Sequence, residues 1–341
     1  MFRSLLGATF LLVLSVACGP KANQASEEVQ VQTGYAQGTT YVIKYRGHPI
    51  PADSFQAIFD GIDASLSLWD STSIISKLNR GDSSVKADVH FQAVFNAAKE
   101  VFEQTQGSFD PTVLPLVQFW GFGGDKFTFP DSISSLSIDS LRRFQGFDQV
   151  RLVGEKVRRS KSSIQLDFNG IAQGYTVDVL GAFLERQQVK DFMIEVGGEI
   201  LARGDGTTGD GWNIAIDKPV DPDAPREIQA ILKLREAMAT SGSYRKFYEK
   251  DGTKYSHTID PKTGYPVTHS LLSVSVVAPS AMMADAYATA FMVMGVQQTM
   301  AFLQEHPELM VYMIFSDPLG QLDTWMSDGL KERMVMERSA S

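Results

Sequence analysis

The chain has 341 residues, 43% of them hydrophobic and 21% charged, which is ample for a substantial core in one large unit or two closely joined subdomains. Its formal charge is −9 and no basic patch runs along it, which gives no support for a nucleic-acid partner.

The N-terminal segment differs from the rest. Met1-Phe2-Arg3 makes a short positive start, and Leu5 to Val16 is apolar apart from Gly7, Thr9 and Ser15. That pattern predicts an export signal over residues 1–17, too short to span a membrane comfortably. Cys18 is the single cysteine, so no internal disulfide is expected. Its place directly after Ala17 resembles a bacterial lipobox, in which that cysteine is lipidated, although Ser15 stands where leucine is usual. The alternative is a cleaved signal with an incidental cysteine. Residues 18–28 are polar and read as a flexible tether, leaving 29–341 as the folded domain. The mature chain is then expected outside the cytoplasm, anchored but not spanning.

Val29 to Tyr45 alternates and predicts two strands around the Ala36-Gln37-Gly38-Thr39 turn. Ser54 to Leu68 and Phe91 to Glu103 carry apolar residues at helical spacing. A short helix is expected over Ser140 to Phe144, then strands at Val150 to Leu152 and Ser163 to Phe168. Ala172 to Gln187 reads as a helix and Phe192 to Val196 as a buried strand ending at Gly197-Gly198. Further strands are expected at Trp212 to Asp217, Ala230 to Leu234, Leu271 to Val277 and Met310 to Phe315. Two more helices are expected over Met282 to Met294 and Gln297 to Leu303, and a hairpin turning at Asp251-Gly252. Strands and helices mix without a regular βαβ period, which predicts an α+β fold.

Asp285 and Thr289 stand four residues apart, hence on one helix face. Carboxylate and hydroxyl oxygens suit Mg²⁺, which completes its shell with water or a substrate phosphate; helix capping and packing are the plain alternatives. Leu166 to Gly174 passes from a strand through a glycine turn into a helix, a junction whose free backbone N–H groups can hold an anion or simply make a turn. The pair Gly197-Gly198 allows a ligand close to the backbone, or a tight bend. His257, one of five histidines, could take a proton at neutral pH or pin its loop. No Cys/His cluster suggests zinc. Trp69, Phe109 and Phe119-Trp120 are candidate ring partners, with core packing as the competing role.

Taken in order, these segments resemble the ApbE family of FAD:protein FMN transferases. The resemblance rests on Phe109-Asp110-Pro111-Thr112-Val113, Leu166 to Asp178, Gly197-Gly198-Glu199-Ile200, Ala239-Thr240-Ser241-Gly242, Ser256 to Gly264 and Ala284 to Ala290. It implies an α+β flavin-binding unit that cleaves the FAD pyrophosphate, attaches FMN to a threonine or serine of an acceptor flavoprotein and releases AMP. By the same resemblance Asp285, Thr289 and the carbonyl near Ala172 match the Mg²⁺ ligands, and His257 is the candidate base beside Asp285. Thr39, Trp69, Asp110, Thr112, Asp178, Glu195, Gly198, Ser241, Gly242 and His257 fall in segments that line the FAD pocket, Asp178 on the adenosine side. Gln173 departs from the lysine common in this motif, which shifts charge neutralisation toward Mg²⁺. The implied setting is the periplasmic face of a membrane, the inner one expected, with a respiratory membrane-complex subunit as acceptor. Two other readings stay open: hydrolysis of free FAD at the same site, and a flavin-binding module without turnover.

Overall fold

The structure, a computed structural model, describes residues 28–122, 134–220, 224–243, 247–250 and 253–338. The expected signal, Cys18, most of the tether and the turn at 251–252 lie outside the described residues. The helices are α1 (Ala52–Leu66), α2 (Ile74–Asn79), α3 (Val89–Gln104), α4 (Leu114–Phe119), α5 (Ser135–Arg142), α6 (Ala172–Arg186), α7 (Ala281–Glu305) and α8 (Asp328–Lys331). The strands begin with β1 (Val29–Ala36), β2 (Thr39–Arg46), β3 (Val150–Val153), β4 (Lys156–Arg159) and β5 (Phe192–Val196). They continue with β6 (Glu199–Arg203), β7 (Trp212–Asp217), β8 (Ile228–Leu234), β9 (Ala237–Gly242) and β10 (Phe247–Lys250). The last are β11 (Thr253–Ser256), β12 (Leu271–Ala278), β13 (Met310–Ser316), β14 (Leu322–Met326) and β15 (Met334–Glu337).

An eight-stranded antiparallel sheet, ordered β1-β2-β5-β6-β9-β12-β13-β14, organises the molecule. Because successive side chains point to opposite faces, each central strand contributes to two cores. Ala239, Val274, Val276, Val311 and Met313 pack on one face against α3 and α7, and Ile43, Ile194 and Leu201 extend that face against α1 and α6. Met238, Val277, Tyr312 and Ile314 pack on the other face against Trp212, Ile214, Leu232 and Leu234 of the small sheet β15-β8-β7. The architecture is α+β, helices over one face of the large sheet and a second sheet over the other.

Local signals explain most elements. In α1, Phe55, Phe59, Ile62 and Leu66 recur every three or four residues and are buried. Asp88 caps α3 by accepting the Phe91 amide at 2.8 Å, and Ser280 caps α7 through Met283 at 3.2 Å. The two late helices predicted from the sequence are one run, α7, kinked at Gly295, whose φ of 72° and ψ of −180° are non-helical. The two predictions that fail do so for visible reasons. Ser163 to Phe168 forms no strand, because Leu166 exchanges both backbone hydrogen bonds with the Asn79 side chain, each 2.8 Å, instead of with a neighbouring strand. The helix expected over Ser140 to Phe144 lies earlier, at Ser135–Arg142, because Ser134 caps it through Ser137 and Ile138 is its buried residue.

Candidate functional site

Antiparallel register brings five chain segments to one end of the large sheet. There β2 begins at Thr39, β5 ends at Val196, β6 begins at Glu199, and Gly242 at the end of β9 pairs with Ser273 of β12. Alternation then sorts their side chains. Thr39 shares the helix-side face with Tyr41 and Ile43, Glu199 with Leu201, and Ser241 with Ala237 and Ala239. Glu195 pairs with Ile200, which belongs to the opposite core, so its side chain starts on the other face. It folds back over the turn, where Oε1 accepts the Gly198 amide at 2.9 Å.

The Leu166 to Gly174 segment closes over α7. A methyl on Gly170 would lie 2.9 Å from Thr289 Oγ1 and 3.4 Å from the Phe109 ring. Four residues on, the Gly174 amide donates to Asp285 Oδ2 at 3.1 Å across 111 residues of sequence. Helices α6 and α7 touch backbone to backbone here, since a methyl on Gly174 would sit 2.2 Å from the Ala281 carbonyl oxygen. Asp178, one turn along α6, accepts the amides of Ala281 at 2.8 Å and Met282 at 2.9 Å, so its two oxygens are engaged at the N-terminus of α7. The geometry thus gives Asp178 a capping task, setting where α7 begins and where Asp285 points.

This corner is rich in buried acid. Burial pushes the Asp285 carboxyl up to about 7, with Asp178 adding to the rise and the Gly174 amide opposing it. Glu199 is held well above the usual carboxylate range, first by burial and then by the charge of Asp285. Neither Asp285 nor Glu199 has an ion-pair partner among the described residues, and Glu199 Oε2 has no hydrogen-bond partner there. Buried anionic oxygens without compensation are what a hard cation relieves. Asp285 and Thr289 supply a carboxylate and a hydroxyl beneath the 170–174 backbone, and that oxygen-only donor set fits Mg²⁺. No cluster of three His, Cys, Asp or Glu with metal-binding arrangement occurs among the described residues, so the fit rests on the mixed donors. The Ala172 carbonyl already accepts the Thr176 hydroxyl at 2.9 Å.

Of the remaining candidates, Asp110 and Thr112 brace this corner. Asp110 Oδ1 accepts both the amide of Thr112 at 2.8 Å and its hydroxyl at 2.6 Å, and Thr112 Oγ1 accepts the Gly146 amide at 2.8 Å. Burial pushes Asp110 up to about 6. Pro111 takes the Asp167 amide at 2.7 Å, so this segment holds the 166–174 loop in place. Trp69, in the loop between α1 and α2, is 65% exposed, which leaves its ring available for stacking. His257 follows β11 and meets the edge of Phe122 with ring centroids 6.3 Å apart. Its loop is fixed by the Ile259–Pro266 bridge and by Trp120 Nε1 donating to Gly264 O at 2.9 Å. Glu199 was not among the residues singled out from the sequence. Period-two alternation from the Gly197-Gly198 turn would have placed it, rather than Glu195, on the buried face.

With that geometry in hand, comparison with known proteins is direct. The ApbE family profile matches residues 37–313. The FAD:protein FMN transferase of Vibrio cholerae serotype O1 is 35% identical over 322 residues, 91% of this chain and 93% of that protein. The protein of the same name from Escherichia coli K12 is 30% identical over 340 residues, covering 95% of each. Among solved structures, the flavin transferase ApbE from Vibrio cholerae superposes with a TM-score of 0.79 at 31% identity, covering 90% of this chain and 99% of that one. The apo form of the Pseudomonas stutzeri flavinyl transferase ApbE gives 0.80 at 28% identity, covering 93% of this chain and 100% of that one. A match over most of the chain in family profile, sequence and fold together shows that this protein belongs to the ApbE family.

Proposed function

We propose that the chain is a Mg²⁺-dependent FAD:protein FMN transferase, attaching FMN to a threonine or serine of an acceptor flavoprotein and releasing AMP. The observation that carries this reading is the contact between Gly174 and Asp285, which sets a buried carboxylate and the Thr289 hydroxyl beneath a glycine-rich backbone turn. The acceptor hydroxyl attacks the phosphorus of the FMN half. A new phosphoester bond forms as the bridging P–O bond breaks, the bonding pair leaves with AMP, and the hydroxyl proton passes to a base. Mg²⁺, when bound, withdraws charge from the diphosphate and stabilises the leaving phosphate.

The chain's own residues position and exclude. Asp285 and Thr289 would hold the cation with a loop carbonyl near Ala172, and Asp178 fixes the start of the helix that carries them. His257 is the candidate base, on a loop whose backbone is tied at both ends. The exposed Trp69 ring offers a platform for the isoalloxazine, while Thr39, Gly198, Ser241 and Gly242 line the sheet end and Glu195 holds the turn between them. The same reading places a lipid on Cys18 and the domain at the periplasmic face of the inner membrane, beside a respiratory flavoprotein acceptor. Support for that part comes from the leader sequence. No helix among the described residues is long and apolar enough to cross a membrane.

The test is to incubate the protein with FAD, Mg²⁺ and a threonine-bearing acceptor domain, and to weigh the products. An FMN adduct on the acceptor with equimolar AMP is expected. Free FMN and AMP without adduct would make the protein an FAD hydrolase, and retained FAD without AMP would make it a carrier.

A further inference from the structure

The turn between β5 and β6 has φ values of +67° at Gly197 and +117° at Gly198, a region glycine enters at little cost. A methyl on Gly197 would lie 2.9 Å from Thr39 Cγ2, 3.2 Å from Gln173 Nε2 and 3.3 Å from Glu199 Oε2. Side chains from α6, β2 and β6 therefore converge on the bare face of one glycine, and two of the three atoms are polar. Glu199 is only 6% exposed, and its Oε2 lacks a hydrogen-bond partner among the described residues. Buried polar atoms are rarely left unsatisfied, so a partner is expected from outside the described residues.

We propose that Gln173 and Glu199 form a polar grip on FAD that takes one sugar-chain hydroxyl, donating to Glu199 Oε2 and accepting from Gln173 Nε2. The proposal rests on the transferase reading above and adds two positioning residues to it. A hydroxyl suits the pair because one oxygen is both donor and acceptor. A phosphate oxygen suits the pair less well, because it can accept from Gln173 Nε2 but brings no hydrogen to Glu199 Oε2. Glycine at 197 leaves no Cβ between the two polar atoms. FAD carries such hydroxyls on the ribityl chain of its FMN half and on the ribose of its AMP half, and the two share this chemistry.

The experiment measures FAD affinity of the full chain in Mg²⁺ by flavin fluorescence for wild type, E199A, E199Q and Q173A, with FMN and AMP as competing ligands. E199A is expected to bind FAD about tenfold more weakly, the loss of one hydrogen bond worth roughly 1.4 kcal/mol. E199Q, whose amide oxygen still accepts, is expected within about threefold of wild type, and Q173A between the two. KM for FAD should rise with kcat retained. A matching loss of FMN affinity assigns the ribityl hydroxyl, and a matching loss of AMP affinity assigns the ribose. Wild-type affinity in both E199A and Q173A overturns the grip. So does a loss in E199A that appears as weakened Mg²⁺ binding by calorimetry with the metal alone, since Glu199 would then act through the cation. Should E199A fail to fold, E199Q and Q173A decide: unchanged FAD affinity in Q173A sinks the proposal. A wild-type protein that neither binds FAD nor modifies an acceptor overturns the transferase reading and the grip together, whereas unchanged variants of a binding, active protein sink only the grip.

Discussion

Replacing Gly174 with alanine should damage fold and chemistry through a single methyl group. The added carbon would sit 2.2 Å from the Ala281 carbonyl oxygen, 2.6 Å from its carbon and 2.8 Å from Met282 Cα. All three are backbone atoms, so no rotamer change relieves the clash, and α7 must move away from α6 by roughly 1 Å to restore ordinary contact. That shift lengthens the Gly174 amide bond to Asp285 and the two bonds by which Asp178 caps α7. Overpacking of this kind costs about 1–3 kcal/mol, and each weakened hydrogen bond to a carboxylate up to a further 1.5 kcal/mol or so. A total on the order of 4 kcal/mol follows, equivalent to roughly 8 °C in Tm for a domain of this size. The assay pairs urea unfolding with FMN transfer at a temperature where the variant is still folded, and transfer should fall at least tenfold there as Asp285 is displaced. Stability within 1 kcal/mol of wild type together with full transfer would refute the claim that this helix contact sets the position of Asp285.

Other substitutions separate the roles further. D285N should fold with a Tm within a few degrees of wild type, because a buried neutral amide replaces a carboxyl that burial already disfavours as an anion, while FMN transfer falls by at least 10²-fold; unchanged AMP release would remove Asp285 from the mechanism. H257A should lower kcat by about 10²-fold and FAD affinity far less, and an equal loss of both would make His257 a ligand-positioning residue. Asp110 gives a pH test. Burial raises its folded-state carboxyl to about 6 from the ordinary 3.8, so its favourable contribution is complete below pH 4 and is lost as pH rises to about 6. Wild type should therefore lose up to about 3 kcal/mol relative to D110N between pH 4 and 7 in urea titrations, and parallel curves would disprove the burial cause. G295A should cost on the order of 3 kcal/mol, because φ is +72° and the new methyl would lie 2.9 Å from the His269 ring; a loss below 1 kcal/mol in thermal unfolding would show that α7 straightens freely.

Periodicity and local chemistry alone made several elements plain. Phe192 to Val196 and Trp212 to Asp217 are strands with the predicted ends, and the helix over Ala172 to Gln187 differs by one residue, because alternating or helical apolar spacing reports a face that must be buried. The i, i+4 pair Asp285 and Thr289 was legible for the same reason, and the ordered motifs pointed to the family before any coordinate. Tertiary structure decided what periodicity cannot carry. A side chain, Asn79, took the hydrogen bonds that a six-residue strand at Ser163 to Phe168 would have given to a neighbour. Asp178 went to cap a helix that begins 103 residues later, and Glu199 rather than Glu195 was turned toward Asp285 by the register of a two-glycine turn. Those outcomes depend on which backbone groups meet across the folded chain, and such meetings have no signature within a local window of sequence.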